Sequence, residues 1–129
     1  MFLNGRESEI TMRLSELAAK IGAKILTNEP KAAEKDIARV YAGDNISGML
    51  NAASETTLLV TNIANKAINR VAELLDVPGV CLVGGVDPSV DVVDWAQRHG
   101  TVLMVSPVGM FETCGRLYLC LNEQGKPDS

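Results

Sequence analysis

From Thr56 onward the chain alternates short, continuous apolar runs with segments of helical period, and this rhythm limits the fold more than any other feature. Thr56–Thr61, Val80–Val83 and Thr101–Val105 are strand-length runs. Between the first two, Ala64, Ala67, Ile68, Val71, Ala72 and Leu75 mark one face of a helix. Asp87-Pro88 opens the next helix, with Asp as N-cap and Pro in the first turn, and Gly100 stops it after His99. Asp91 and Asp94 near its start and Arg98 and His99 at its end suit the helix dipole. A last helix is predicted from Met110 to about Leu121. The strands are apolar throughout rather than alternating, as in a parallel sheet covered by helices on both faces. Strand–helix–strand repetition of this kind is built from right-handed crossovers. The expected class is therefore α/β with three layers.

The N-terminal half is less regular. Residues 1–11 are mostly polar and lack a period, so they are expected to form a flexible extension. Leu14, Leu17, Ala18 and Ile21 define a short amphipathic helix, with Ser15 as N-cap and Gly22 as its stop. A strand follows over Ala23–Thr27, then a turn or loop over Asn28–Lys35, then a strand over Ile37–Tyr41 ended by Gly43. Ser47–Ala53 is predicted as a helix capped by Asp44 or Asn45. Residues 12–121 form one domain, and 122–129 a loose polar tail. A chain of 129 residues holds a single core.

Composition removes several function classes. Aromatic residues make up only 4%, so the core must be built from Leu, Val, Ile and Ala. The net charge of −4 argues against binding a nucleic-acid backbone, and a helix-turn-helix reading of Leu14–Ile21 fails for want of a basic recognition helix. The apolar runs are too short to span a membrane, no secretory signal pattern opens the chain, and a cytoplasmic location is expected by default. Cys81, Cys114 and Cys120 form no Cys-x-x-Cys pair, and one histidine cannot complete a zinc set. They read as small, reduced core thiols. Neither a metal nor a cofactor is predicted.

In open parallel sheets, ligands bind beyond the carboxyl ends of the strands. Here those ends carry Gly43, Asp44 and Asn45; Thr61 and Asn62; Gly84 and Gly85; and Ser106. Helix N-termini after them offer N–H groups suited to phosphate or carboxylate. The same residue types also serve as ordinary caps and turns, so a small anionic ligand or nucleotide and plain helix capping both fit. Asp44 repels an anion and fits better as an N-cap or as an acceptor for a ribose hydroxyl. Gly84-Gly85 lacks the G-x-G-x-x-G dinucleotide pattern, and no phosphate-binding-loop lysine is present. His99 reads as a helix-end cation, Trp95 as packing, and Asp91 and Asp94 as solvated surface. No base, nucleophile or metal set assembles. A non-catalytic regulatory module is favoured, with a small enzyme acting on a phosphorylated metabolite as the alternative.

Leu14-Ser15-Glu16-Leu17-Ala18-Ala19-Lys20-Ile21-Gly22, Lys24-Ile25-Leu26-Thr27 and Gly43-Asp44-Asn45-Ile46-Ser47-Gly48-Met49-Leu50-Asn51-Ala52-Ala53 resemble the DRTGG domain family. Val80–Gly85 and Phe111-Glu112-Thr113-Cys114-Gly115-Arg116-Leu117 are similar too, so the resemblance spans Met12–Leu121. Near Glu34–Arg39, where the naming motif would fall, neither its arginine nor its glycine pair stands in place.

The resemblance implies a fold like the N-terminal domain of HPr kinase/phosphorylase, with a central parallel sheet of about four strands and a small extra β element near the N-terminal half. Related domains are fused to CBS-domain pyrophosphatases and phosphate acetyltransferases, where they look like dimerisation or regulatory parts. Free-standing members resemble accessory proteins of hydrogenase and redox-sensing systems, which implies a protein partner of that kind. Self-association is expected from the residues as well. Met110, Phe111, Cys114, Leu117, Tyr118, Leu119, Cys120 and Leu121 make the last helix apolar on more than one face.

Overall fold

A computed structural model describes residues 2–3 and 10–123. In chain order the elements are β1 (Phe2–Leu3), β2 (Met12–Arg13), α1 (Leu14–Ile21), β3 (Lys24–Ile25), α2 (Pro30–Ala33), β4 (Asp36–Ile37) and β5 (Arg39–Ala42). The second half runs α3 (Ile46–Ala52), β6 (Thr57–Thr61), α4 (Lys66–Leu75), β7 (Gly79–Leu82), α5 (Val90–His99), β8 (Val102–Val105) and α6 (Met110–Glu123).

The four parallel strands β5-β6-β7-β8 lie side by side in chain order. Antiparallel edges extend them, β1 on β5 and β3 on β8, to give a sheet of order β1-β5-β6-β7-β8-β3. β2 and β4 pair as a separate two-stranded ribbon. The predicted α/β class, parallel centre and small extra β element are therefore present, and the sheet is wider than four strands. Sequential strands joined by crossovers of one hand put their helices on one face. Accordingly Met49 of α3, Ile68, Val71 and Ala72 of α4, and Val92 and Ala96 of α5 pack on Leu59, Val80, Leu82 and Leu103. The opposite face carries α1 and α6. Leu14, Leu17, Ile21, Leu117 and Leu121 cover Val40, Leu58, Val60, Cys81 and Met104. Every residue of β6 and β7 is buried, which explains runs that are apolar apart from the two threonines that bound β6.

Several boundaries differ from expectation, each for a local reason. Helix α1 starts at Leu14, with Arg13 rather than Ser15 at its N-cap, because the Leu14 N–H is already held by the Lys35 carbonyl at 3.0 Å. The expected strand Ile37–Tyr41 is split. Asp36–Ile37 joins the ribbon and Arg39–Ala42 joins the main sheet. The expected loop Asn28–Lys35 contains α2, capped by the Glu29 side chain and started by Pro30, with Ala32 buried. Helix α5 begins at Val90 under a Ser89 cap, not at Asp87-Pro88. The Ser89 hydroxyl supplies the cap, accepting from the Val92 N–H at 3.4 Å. Of the expected N-terminal extension, Phe2–Leu3 pair with Tyr41 and Val40, while residues 4–9 lie outside the described residues. Helix α6 continues through Asn122 and Glu123, and the remainder of the expected tail is likewise outside them.

Candidate functional site

Parallel pairing brings the ends of β5, β6, β7 and β8 to one rim of the sheet. Along β5, the chain leaves through Gly43, whose N–H donates to the Val60 carbonyl at 2.9 Å. Asn45, not Asp44, caps α3, its Oδ1 accepting from the Gly48 N–H at 3.3 Å. That leaves the Asp44 carboxylate for the neighbouring strand. It accepts from Thr61 Oγ1 at 2.9 Å and from the Asn62 N–H at 3.0 Å. Thr61 is fully buried, and its hydroxyl oxygen also accepts from the Ile63 N–H at 3.2 Å.

Beyond β7, Gly84 and Gly85 both take left-handed backbone conformations, with φ of 81° and 73°. Both are exposed. A side chain at Gly84 would start 3.7 Å from the Cβ of Asn62, and one at Gly85 would meet nothing within 4 Å. Asp44, Thr61, Asn62 and Gly84 thus form a contiguous stretch of rim, and Gly85 opens beside it to solvent. Glycine is favoured here by the positive φ, not by crowding.

Ser106 lies apart from this group in its bonding. It is buried, its hydroxyl is 2.7 Å from that of Thr113 on α6, and it accepts from the Val108 N–H at 3.4 Å. Thr113 Oγ1 in turn donates to the Val108 carbonyl. These contacts tie the end of β8 to the start of α6. Nothing in the sequence around Thr113 distinguishes it from an ordinary helical threonine. Ser106 also borders a separate hollow of about 350 Å³ with Gly22, Lys24, Leu26, Val86 and Asp87.

A second feature lies on the α6 side of the sheet. Ala42, Met110, Phe111, Cys114, Gly115 and Tyr118 line an apolar groove of about 400 Å³. Phe111 is 94% exposed, and Tyr118 and Leu119 are about half exposed. The spacing of Phe111, Cys114 and Tyr118 puts them on one helix face, which the sequence displays. The part of Ala42 does not show until β5 is placed.

Burial pushes the Cys81 thiol up to about 12, with the neighbouring Cys114 adding to the effect, and burial raises Cys114 as well. Among the described residues, no group of three or more His, Cys, Asp or Glu side chains could hold a metal ion, and no helix is long and apolar enough to cross a membrane. His99 stacks on Trp95 with ring centroids 4.4 Å apart.

No family model matches the chain, and no curated protein does. Among solved structures it is similar to the CBS and DRTGG domains of the regulatory region of a Clostridium perfringens pyrophosphatase, complexed with the activator diadenosine tetraphosphate. The TM-score is 0.67 at 15% identity, over 84% of this chain and 47% of that one. This chain therefore spans about half the length of that regulatory region.

Proposed function

The chain has a DRTGG-like fold, and from that premise we propose that it is a non-catalytic regulatory module that senses a small anionic ligand or nucleotide at the carboxyl rim of its parallel strands. The observation that carries this reading is the Gly84-Gly85 turn beside Asn62, two exposed glycines in left-handed backbone with no side chain to bar close approach. Neutral donors and bare backbone suit a phosphate oxygen. The Asp44 carboxylate, held by Thr61 and Asn62, stands ready as an acceptor for a sugar hydroxyl. The similar pyrophosphatase region binds a nucleotide activator, which supports a nucleotide as the first class to test.

The module works as a homodimer through α6. The apolar groove and the exposed Phe111 on its wall offer a surface that a second copy would bury on both sides of a two-fold axis. A redox or signalling protein is the expected downstream partner.

The test is thermal unfolding with diadenosine tetraphosphate, adenine nucleotides and pyrophosphate. A ligand that binds only the folded state raises the midpoint. Asn62→Ala should remove that rise without lowering the ligand-free midpoint. A rise that survives intact in Asn62→Ala moves the site away from this rim, and turnover of the bound compound favours the enzyme alternative.

A further inference from the structure

At the opposite rim of the sheet, where β8 begins, three cationic side chains and an imidazole meet. Lys31 from α2, Lys35 just after it, and Arg98 and His99 from the end of α5 line a shallow hollow of about 320 Å³. This concentration occurs on a chain whose net charge is −4. The only carboxylate on the hollow's wall is Glu29, and it is committed to the Lys31 backbone N–H as the cap of α2.

Among the described residues none of the three cations makes an ion pair, nor does His99. They are held by neutral partners instead. Lys35 Nζ donates to the Gly100 carbonyl at 3.3 Å, and Arg98 Nε to the Asp94 carbonyl at 3.4 Å. The His99 ring is fixed by its stack on Trp95. Arg98 also borders the groove between α4 and α5, where Glu73, Asp91 and Asp94 stand, yet it pairs with none of those carboxylates. The loop carrying the lysines is tethered to the same helix end, because the Asn28 N–H donates to Gln97 Oε1.

Three cations gathered around one carboxylate, none of them ion-paired, repel one another, and a bound anion relieves that repulsion. We propose that this hollow is a second anion site, one that takes a compact phosphoryl or pyrophosphoryl group. Arg98 supplies the planar fork that matches two oxygens, and the two lysines supply mobile point charges. The hollow is the size of a small ligand, and the acidic surface elsewhere disfavours an extended polyanion. The site is independent of the Gly84-Gly85 rim, since the two lie at opposite ends of the parallel strands.

The experiment is a titration of the full chain with inorganic pyrophosphate at low salt, followed by amide chemical shifts. The expected result is saturable movement of the amides over Lys31–Lys35 and Arg98–Gly100. Lys35→Gln combined with Arg98→Gln should weaken the binding by about tenfold or more, and Lys24→Gln, an exposed lysine near the other rim, should leave it unchanged. The thermal midpoint of each variant verifies its fold. No saturable shift in the unmodified chain at millimolar pyrophosphate overturns the proposal. So does undiminished binding in the folded double variant. Shifts confined to Gly84, Gly85 and Asn62 would support the rim site and overturn this one.

Discussion

The Asp44 carboxylate accepts the Thr61 hydroxyl at 2.9 Å and the Asn62 N–H at 3.0 Å, joining the end of β5 to the end of β6. An acidic residue just before a helix is ordinarily read as its cap. Here Asn45 has that task, and Asp44 fastens two strand ends side by side. Thr61→Val keeps the shape of the buried side chain while deleting the donor to Asp44 and the acceptor of the Ile63 N–H. Urea unfolding should show a loss of about 1–2 kcal/mol with an unchanged slope. A loss under about half a kcal/mol would mean the rim is held by other contacts.

Gly79 lets α1 press directly on the sheet. A Cβ there would lie 3.0 Å from Leu14 Cδ2 and 3.3 Å from the Val102 carbonyl oxygen. Leu14 is fully buried at the start of α1, and the carbonyl belongs to the chain entering β8, so neither side yields easily. Gly79→Ala should cost about 1–3 kcal/mol by overpacking. Truncating Leu14 opens the space from the other side. The double variant Gly79→Ala, Leu14→Ala should therefore lose less stability than the two single losses added together. Strict additivity would show that the two residues do not press on one another.

The parallel centre was legible because β6, β7 and β8 are largely buried on both faces, so their runs are apolar apart from the threonines that bound β6. The N-terminal half was harder for a physical reason. Four of its five strands are two residues long, too short for any period, and their partners are distant in the chain, such as Lys24 with Val105 and Met12 with Ile37. A single run of strand-forming residues at Ile37–Tyr41 gave no sign that Ala38 turns the chain from one sheet to another. The strand-end residues were identifiable from topology alone, but not their division of labour. That Ser106 bonds to Thr113 and Asp44 to Thr61 depends on side-chain directions that spacing does not encode.

Self-association should depend on Phe111, which is 94% exposed beside the apolar groove of α6. Leu117 and Leu121 on the inner face of the same helix are buried in the core and cannot contribute. Light scattering at micromolar concentration should give a dimer mass for the unmodified chain. Phe111→Glu should give a monomer mass with an unchanged far-ultraviolet circular dichroism spectrum, since a charge in a desolvated pocket opposes docking while the free surface tolerates it. A monomer mass for the unmodified chain would remove α6 as a dimer interface.

Cys81 makes stability fall at alkaline pH in a way that can be isolated. Its thiol is pushed from an ordinary value of 9.0 to about 12, chiefly by burial. The folded state therefore binds the proton more tightly than the unfolded chain does. The resulting stabilisation is complete below about 9 and is lost as pH rises toward 12, at up to about 1.4 kcal/mol per pH unit while the unfolded thiol is ionised and the folded one is not. Other groups also titrate in this range, so the informative quantity is the difference between two slopes. Cys81→Ala should be less stable at neutral pH because of the space it leaves, yet its stability should decline less steeply between pH 9 and 12 than that of the unmodified chain. The same burial predicts reactivity. At pH 8 the buried Cys81 stays a protonated thiol, so iodoacetamide should label the half-buried Cys120 first and leave Cys81 unmodified until the protein unfolds. Parallel alkaline slopes for the two proteins, or labelling of Cys81 in the folded state at the rate of Cys120, would show that the thiol is not sequestered between β7 and α6.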